Sequence, residues 1–554
     1  MGMSRRAFIR GFAAGGSAAV GLAALGIDVR PAAASSAAAS PAGDVVGKIT
    51  VGYQGWFACT GDGAPINGWW HWSQNWSQAP SPSNNNIKAW PDMREYAKAY
   101  PTAYADLNGG GAATLFSSYD QQTVDTHFAW MKQYGCDTAA LQRFNPNGGE
   151  GATRDAMAQK VRSAAESHGV KFYIMYDVTG WTNMQSEIKT DWTNKMSAYT
   201  ASSAYARQNG KPVVCIWGFG FNDSNHPWSA SACLDVVNWF KGQGCYVIGG
   251  VPREWHVGGG GGRSGYDGVY LAMNMISPWM VGAIGSAADS DNAYTTYTVP
   301  DQAYCNANGI DYQPCVLPGD VSVPNQRAHG DFMWRQFYNM VRAGAQGIYI
   351  SMFDEYGEGN QIAKTAENAA MVPSGSGLRA LDEDGTACSS DYYLRLTGDG
   401  GRMLKGQIGL TATRPTQPVV TGGTQVISLR SRANNDYVTA ENAGASALIA
   451  NRTAIGTWEQ FDLVDAGGGA IALRAHADDQ YVCADNAGAS PLIANRTAIG
   501  QWESFRLIHN ANGTVSLLAL ANNMYVTAEN AGASPLIANR TAIGQWEQFD
   551  LVVS

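Results

Sequence analysis

Two acidic residues, Glu355 and Glu358, lie three positions apart in the stretch Met352–Ile362, which reads MFDEYGEGNQI. The apolar run before them predicts a strand over Gly347–Asp354, so both carboxylates would lie where that strand ends and a turn begins. Cleavage of a glycosidic bond needs a carboxylic acid to protonate the leaving oxygen and a second carboxylate as base or nucleophile. Crowding of two such groups raises one pKa and leaves the other group ionised, which separates the roles. The segment therefore predicts a catalytic pair, with a solvated acidic loop as the alternative.

Such a pair needs a scaffold, and the first 370 residues predict one. Short β-branched or aromatic runs alternate there with amphipathic stretches, which is typical of an α/β fold of the (β/α)8 TIM-barrel type. We assign the barrel to residues 46–372 and expect the insertion around Trp69–Trp72 to cover its catalytic face. The predicted strands are Ile49–Phe57, Asp137–Phe144, Lys171–Asp177, Pro212–Phe219, Cys245–Val251, Gly268–Asn274, Asp311–Leu317 and Gly347–Asp354, and the predicted helices include Thr123–Tyr134, Arg154–His168 and Phe332–Arg342.

The carboxyl-terminal ends of the predicted strands combine aromatic rings, carboxylates and hydrogen-bonding groups. Chemistry in such barrels takes place at these ends, and sugars need rings for their C–H faces and polar partners for their hydroxyls. For Arg143 and Asp177 a structural salt bridge is the alternative, and His71 and His256, beside Trp residues, are weaker candidates. The predicted substrate-binding residues are Tyr53, Gln54, Trp56, Arg143, Asp177, Trp181, Trp217, Arg253, Trp255, Asn274 and Tyr356.

Other chemistries find little support in the sequence. Eight scattered His residues and the lack of a C-x-x-C pair predict no metal site, and we expect no cofactor. A G-x-S-x-G elbow for serine hydrolysis is absent. The five glycines Gly258–Gly262 lack the Lys-Ser/Thr of a phosphate loop, so they predict a flexible flap. Several of the nine Cys residues, such as Cys215, lie in apolar strand-like runs and are predicted to be buried thiols. A disulfide between Cys305 and Cys315 across a loop is an open alternative.

The C-terminal part contains three copies of one unit with a period of 44 residues. The copies begin at Tyr437, Tyr481 and Tyr525, and each closes on Trp-Glu-x-Phe. Three β-rich units of this size favour closed threefold symmetry, and hence an all-β trefoil over residues 424–554. The repeats resemble those of fascin-like trefoils, and residues 373–423 would complete the barrel and then form a linker.

The polar residues common to the repeats have no use in a trefoil core, whereas Leu448, Leu492 and Leu536 are expected in it. Three equivalent pockets suit multivalent sugar binding. Recent duplication that preserves turns is the alternative, and the Trp residues could stack on sugars or fill the barrel floor. The predicted sugar-binding residues are Glu441, Asn442, Arg452, Trp458, Asp485, Asn486, Arg496, Trp502, Glu529, Asn530, Arg540 and Trp546.

Residues 1–40 resemble a twin-arginine signal peptide, with Arg5-Arg6 before a weakly apolar run and a cleavage site at Ala32–Ala34. We therefore expect a secreted, extracellular protein, with an uncleaved membrane anchor as the alternative. This segment holds four Arg and one Asp, so the rest of the chain is three charges more negative than the −9 of the whole. Such a charge disfavours nucleic acid as a partner. Only 15% of residues are charged and 45% are apolar, which excludes a disordered chain. We expect a monomer that does not contact membranes once the signal is cleaved.

The stretch around Glu355 resembles the Glu-Trp-His-Glu-Gly-Thr-Gln signature of glycoside hydrolase family 99, the endo-α-mannosidases and mannanases. Its Tyr356-Gly357 pair instead resembles family 71, the α-1,3-glucanases. The family-99 resemblance implies that Glu355 acts as a base on the sugar 2-hydroxyl, through an anhydro-sugar intermediate with retention. Glu358 would then be the acid that protonates the leaving group. The family-71 resemblance implies the same pair, an α-glucan substrate and a possible inverting course.

The sequence thus predicts an exported enzyme that degrades a polysaccharide of the α-mannan or α-glucan type, although other cell-wall glycans fit as well. The trefoil would hold the enzyme on its substrate. One alternative is a non-catalytic carbohydrate-binding or surface-binding protein whose barrel has lost activity. Another is an enzyme whose trefoil binds the surface of its own cell.

Overall fold

The computed structural model describes residues 40–418, 425–467, 470–510 and 512–553. The chain forms two compact units, which divide between residues 419 and 420. Except for Ser40, the predicted signal peptide lies outside the described residues, as do residues 419–423 of the predicted linker and residue 424 of the predicted trefoil. Within the described ranges, every helix is too short or too polar to cross a bilayer.

The first unit is built on a curled parallel sheet. Strands β4 and β8 are buried along their whole length, as expected where helices cover a parallel sheet. The strands of the unit are β1 (Ile49–Tyr53), β2 (Tyr100–Pro101), β3 (Thr114–Leu115), β4 (Thr138–Arg143), β5 (Lys171–Asp177), β6 (Arg207–Gln208), β7 (Lys211–Trp217), β8 (Tyr246–Val251), β9 (Met275–Pro278), β10 (Asp311–Tyr312), β11 (Cys315–Val316) and β12 (Ile348–Ile350).

The main sheet runs in the order β10-β9-β8-β7-β5-β4-β1-β12-β11, with parallel neighbours throughout. Strands β10 and β11 are two halves of the segment 311–316. The first half pairs with β9 and the second with β12, so this segment joins the two edges of the sheet. The result fits a (β/α)8 barrel-like domain whose loops after each strand meet on one face.

Helices surround this sheet and bury their apolar faces against it. In α8, the residues Phe332, Met333, Phe337 and Met340 are buried at helical spacing. The nine α-helices of the described residues are α1 (Gln121–Gln133), α2 (Gly151–His168), α3 (Met184–Asp191), α4 (Ala230–Gly242), α5 (Asp267–Ala272), α6 (Ala287–Ala293), α7 (Val299–Asn308), α8 (Asp331–Ala343) and α9 (Tyr392–Leu404). Short π or 3-10 turns lie at Trp192–Met196, Ser197–Ala201, Tyr294–Thr298, Ala328–Gly330, Ala369–Met371, Thr457–Glu459, Asn486–Gly488, Gln501–Glu503 and Gln545–Glu547.

One predicted strand is wrong. Residues Asp267–Ala272 form α5, and the strand follows it at Met275–Pro278. A short apolar run does not distinguish a strand from a buried helix, because periodicity alone is ambiguous over so few residues. Asn274 therefore precedes its strand, and Trp279 instead occupies the carboxyl-terminal end.

The second unit is an antiparallel barrel with three hairpins. Strands β13, β16, β17, β20, β21 and β24 pair in that order, and β24 pairs back to β13, which closes a ring. The remaining strands form the hairpins β14-β15, β18-β19 and β22-β23. The strands are β13 (Gln425–Ser431), β14 (Tyr437–Thr439), β15 (Ile449–Arg452), β16 (Phe461–Gly467), β17 (Ala470–Ala475), β18 (Tyr481–Ala484), β19 (Leu492–Arg496), β20 (Phe505–His509), β21 (Val515–Ala519), β22 (Met524–Ala528), β23 (Leu536–Arg540) and β24 (Phe549–Val553).

The core of this second unit follows the sequence repeat. Leu448, Leu492 and Leu536 are buried, which confirms their predicted core position. Phenylalanines that recur every 44 residues are buried as well, at positions 461, 505 and 549. Each repeat contributes the same apolar groups, so the three repeats share one core.

Candidate active site

An acidic turn, defined as Asp354–Glu358, follows β12 at the carboxyl-terminal face of the sheet. Asp354 and Glu355 are buried, whereas Glu358 is partly exposed. The turn therefore presents carboxylates in different environments on the face where barrel chemistry occurs.

Asp354 ties the turn to the end of β1. Its Oδ1 and Oδ2 accept the backbone N–H groups of Gln54 and Gly55 at 2.7 and 2.8 Å. Burial raises the pKa of Asp354 to about 6, although these two donors oppose the shift. The carboxyl of Asp354 thus joins two strand ends that lie 300 residues apart in sequence.

The carboxylate of Glu355 accepts a hydrogen bond at one oxygen and lies close to Gly357 with the other. The Gln54 side chain donates its Nε2–H to Oε2 at 2.7 Å. A Cβ at Gly357 would lie only 2.9 Å from Oε1. The residue at position 357 must therefore lack a side chain for the carboxylate to keep this position.

Contacts from distant elements fix the rest of the turn. Arg327 is buried and donates to the carbonyls of Gly319, Gly359 and Gln361 at 2.8–2.9 Å. Tyr356 is also buried, and its hydroxyl donates to the Lys364 carbonyl at 2.9 Å. The ring of Tyr356, predicted to bind substrate, packs inside the protein.

The insertion after β1 lies directly against the acidic turn. The Lys88 N–H donates to the Tyr356 carbonyl at 2.9 Å, and its ammonium forms an ion pair with Asp320. The Asn86 side chain donates to the His71 carbonyl at 3.1 Å. The insertion thus forms one wall beside the acidic turn.

The imidazole of His71 stacks on Trp56 with ring centroids 3.6 Å apart and nearly parallel planes. Phe144 also lies parallel to Trp56, at 5.6 Å. Burial and the nearby Arg154 hold the pKa of His71 well below its usual value, so this ring is neutral. Protein rings therefore cover the indole that was predicted as a sugar platform.

Aromatic rings from β7, from the residue after β9 and from β12 form a row. Trp217 contacts Trp279 edge to face at 5.3 Å, and Trp279 lies 6.3 Å from Tyr349. Trp217 also contacts Phe221 at 4.8 Å. Trp279 is absent from the predicted substrate-binding residues because the strand was predicted too early in the sequence. The aromatic residue directly after Ile276-Ser277-Pro278 could have indicated it.

Asp177 ends β5 beside Trp217, its partner in the parallel pairing of β5 and β7. It accepts the Thr179 N–H and hydroxyl at 3.0 and 2.6 Å. Asp177 therefore lies on the same face as the acidic turn, with a short loop turned around it.

Several predicted site residues make contacts within the protein core. The Tyr53 hydroxyl bonds to His127 Nδ1 at 3.0 Å, and the Trp181 Nε1–H donates to Glu187 at 2.6 Å. Both rings are fully buried.

Arg143 forms a buried ion pair with Asp191, with Nε donating at 2.6 Å, and a second pair with Asp155 at 2.7 Å. The structure thus shows the salt-bridge alternative for Arg143. Asn274 lies at the amino-terminal side of the sheet, where its Oδ1 accepts the Val247 N–H at 2.9 Å.

The segment after β8 is anchored to α7. The Trp255 Nε1–H donates to Asp301 Oδ2 at 2.8 Å, and His256 Nδ1 lies 3.5 Å from the other oxygen. Burial raises the pKa of Asp301 to about 8, against the smaller opposing effect of this Trp255 bond. The carboxyl is therefore mostly protonated at neutral pH.

The glycine run of 258–262 lies against the neighbouring Glu254, whose Oε1 accepts from Arg253 Nε at 2.9 Å. A Cβ at Gly261 would lie 2.5 Å from Glu254 Oε2, and one at Gly259 would lie 3.2 Å from its Cγ. Close approach to a carboxylate is therefore one reason for glycine here.

In the second unit, the predicted polar residues pair with one another in each repeat. Arginine Nη2 donates to the acidic residue at 2.8–2.9 Å, in the pairs Arg452–Glu441, Arg496–Asp485 and Arg540–Glu529. The asparagines at 442, 486 and 530 adopt left-handed backbone angles, with φ from 50° to 56°, in the adjoining turn.

The three tryptophans of the repeats are not buried in the floor of the barrel. Trp458 and Trp502 are 36% and 37% exposed, and Trp546 is partly exposed. Their rings thus reach the surface of the second unit.

All nine cysteines are buried thiols without a disulfide, so Cys305 and Cys315 are not bridged. Among the residues that the structure describes, no group of three or more His, Cys, Asp or Glu side chains could hold a metal ion.

The sequence matches no protein-family model and no curated protein. Solved structures of a GH99 endo-α-mannosidase from Bacteroides thetaiotaomicron are 13–14% identical, with a TM-score of 0.47 over 65–66% of this chain and 98% of that one. The designed 3-fold symmetric protein ThreeFoil is 25% identical over 24% of this chain and 99% of its own, with a TM-score of 0.22. An exo-β-1,3-galactanase from Clostridium thermocellum is 13% identical over 26% of this chain and 33% of its own, also with a TM-score of 0.22.

Proposed function

We propose that this chain is a glycoside hydrolase that uses Glu355 and Glu358 as its catalytic carboxylates. The observation that carries the proposal is the constrained carboxylate of Glu355. Gln54 holds one of its oxygens at 2.7 Å, and Gly357 leaves room for the other. A partly exposed Glu358 follows three residues later on the same turn.

The two environments suit different roles in glycosidic cleavage. Donation from Gln54 favours the ionised form of Glu355, which suits a base or a nucleophile. Glu358 is closer to solvent and would protonate the leaving oxygen as the glycosidic bond breaks, then accept a proton from the attacking water. In the family-99 course Glu355 would take the proton of the sugar 2-hydroxyl.

The proposed substrate is a polysaccharide of the α-mannan or α-glucan type. The resemblance of the Met352–Ile362 stretch to two families with these substrates supports it. Trp217, Trp279 and Asp177 on the same face supply rings and a carboxylate suited to sugar C–H faces and hydroxyls.

We also propose that the second unit is a β-trefoil that binds carbohydrate. Its closed six-stranded ring and three hairpins support the trefoil assignment. An exposed Trp such as Trp458, in the same repeat as an arginine–carboxylate pair, supports sugar binding, because sugars combine stacking with polar contacts.

Export through a twin-arginine signal is part of the proposal. That route carries folded proteins, so the fold must not depend on disulfides that form after transport. The nine cysteines, which are buried and form no disulfide, agree with this requirement.

One observation favours the second candidate, a non-catalytic carbohydrate-binding protein. Glu355 is only 1% exposed, and the insertion that holds Asn86 and Lys88 lies against its turn. A barrel closed in this way would bind glycans at its surface without cleaving them.

The two candidates differ in product release from a panel of α-mannan, α-1,3-glucan, β-glucan, xylan and arabinan. For the enzyme, we expect wild type to cleave one polymer and both E355Q and E358Q to lose about a thousandfold in kcat/KM. The matched control is E166Q, which changes a surface carboxylate paired with Arg162. No product from wild type on any polymer would favour the binding protein, and equal activity of E358Q and wild type would reject the site.

A further inference from the structure

We propose that Gln54 is a positioning residue that holds the Glu355 carboxylate in its reactive orientation and charge state. This role rests on the proposed hydrolase function. It differs from the direct contact with substrate that the sequence predicts for Gln54.

The first argument is geometric. The backbone N–H of Gln54 donates to Asp354 and its side-chain amide donates to Glu355, both at 2.7 Å. Gln54 therefore donates hydrogen bonds to two adjacent carboxylates. Gln54 has no exposed surface, and its Nε2 donates to Glu355. A side chain in this position acts on a substrate through Glu355.

The second argument concerns rotation of the carboxylate. Gly357 leaves Oε1 close to the backbone of the turn, and the Glu355 carbonyl accepts the Gly359 N–H at 3.1 Å. The backbone around Glu355 is thus fixed, and the amide of Gln54 fixes Oε2. Loss of that amide would remove a hydrogen bond that orients the carboxylate, and reactions depend steeply on such alignment.

The third argument concerns charge. Asp354 lies next to Glu355 in sequence and is buried, so two carboxylates share one poorly hydrated region. Like charges disfavour ionisation, whereas an N–H donor favours the ionised form. The other charged groups around the turn are Glu358, Arg154, which donates to the Gly55 carbonyl at 3.1 Å, and the Lys88–Asp320 pair. The amide of Gln54 donates to Glu355 at 2.7 Å and therefore favours the ionised form of this carboxylate.

The test compares Q54L and Q54E with wild type on the polymer that wild type cleaves. Leucine keeps the volume and removes the N–H. Glutamate places a second carboxyl against Glu355, so that the two groups compete for one proton. The control is Q336L, because Gln336 is a buried glutamine whose Nε2 donates to the backbone carbonyl of Leu317 at 2.9 Å.

For Q54L we expect kcat to fall about 30-fold with KM within about threefold of wild type. The acidic limb of the kcat/KM pH profile should move to higher pH by about one unit, and further in Q54E. Q336L should lower thermal stability without moving that limb. A raised KM with unchanged kcat in Q54L would show direct substrate binding and overturn the proposal. A pH profile that stays fixed in both Gln54 variants would overturn it as well.

A second measurement does not need activity, so it separates this proposal from the proposed function. The carboxyl resonance of Glu355 can be followed against pH in protein with 13C-labelled glutamate, and E355Q assigns the signal. We expect its titration midpoint to rise in Q54L. An unchanged midpoint overturns the positioning role. If the midpoint shifts in Q54L but wild type cleaves no polymer, the effect of Gln54 on Glu355 is supported and the hydrolase function is rejected.

Discussion

Carboxylates of the first unit differ in what surrounds them. Asp354 accepts two backbone N–H groups and Glu355 accepts a side-chain amide. Asp301 is fully buried between Trp255, Tyr312 and His256, and receives weaker compensation. Burial without sufficient donors favours the neutral acid, so the same side chain serves as a charged group in one place and as a neutral one in another.

Asp301 predicts a specific dependence of stability on pH. Its pKa of about 8 in the folded protein exceeds the value of about 4 for an unfolded aspartate. Between these values the native state keeps a proton that the unfolded state has lost, so the unfolding free energy falls as pH rises. We expect wild type to lose about 3 kcal/mol between pH 6 and 9 from this group, and D301N to lose less.

Denaturant unfolding of wild type and D301N across this pH range measures the effect. The control D106N changes an exposed aspartate and should keep the wild-type slope. Equal slopes for wild type and D301N would mean that Asp301 is charged in the folded protein.

At the scale of elements, strong helical periodicity predicted α1, α2 and α8 to within three residues of their observed ends. The strand before Trp279 was misplaced because a short apolar run of six residues fits a helix as well as a strand. The contacts that fix the acidic turn come from the end of β1, from the insertion and from Arg327, which precedes α8. Contacts between segments hundreds of residues apart produce no periodic pattern in the sequence, so they could not be predicted from it.

We expect a substitution at Arg327 to loosen the acidic turn. Its guanidinium reaches three carbonyls in a planar fork, whereas a lysine ammonium is a point charge that cannot reproduce that geometry. We expect R327K to lower the unfolding free energy by about 2 kcal/mol and kcat by about tenfold, because the acidic turn loosens.

Denaturant unfolding and kinetics on the cleaved polymer measure both effects. The matched control R335K changes a partly exposed arginine that pairs with Asp291, and it should cost less than about 1 kcal/mol. A destabilised R327K that retains the wild-type kcat would show that Arg327 supports the fold alone.

At the scale of the whole molecule, the chain combines a barrel-like unit with a unit built from three copies of one sequence. Repetition every 44 residues yields three similar surfaces, each with an arginine–carboxylate pair and a Trp that reaches solvent. Weak sites that act together bind a polymer more tightly than one site does.

With three similar surfaces, we expect polymer binding by the full-length protein to weaken stepwise as the repeat tryptophans are replaced. Single W458A or W502A should weaken binding to an insoluble polysaccharide several-fold, and W458A/W502A/W546A should weaken it by about a hundredfold or more. A pull-down with insoluble glucans, mannans and cell walls measures this. W76A removes an exposed Trp of the first unit and should bind as wild type does. Undiminished binding by the triple variant would exclude the Trp surfaces as sugar sites.

The local patterns could be predicted from the amino-acid sequence: the alternating strands and helices, the repeat, the core leucines and the spacing of Glu355 and Glu358. These follow from periodicity, composition and spacing, which act over short distances along the chain. Which side chains contact one another depends instead on the three-dimensional fold. It placed Gln54 on Glu355, His71 over Trp56, Trp279 beside Trp217 and Arg143 in a buried ion pair. Contacts of this kind depend on strand order and register around the closed sheet, because these set which distant residues share one face.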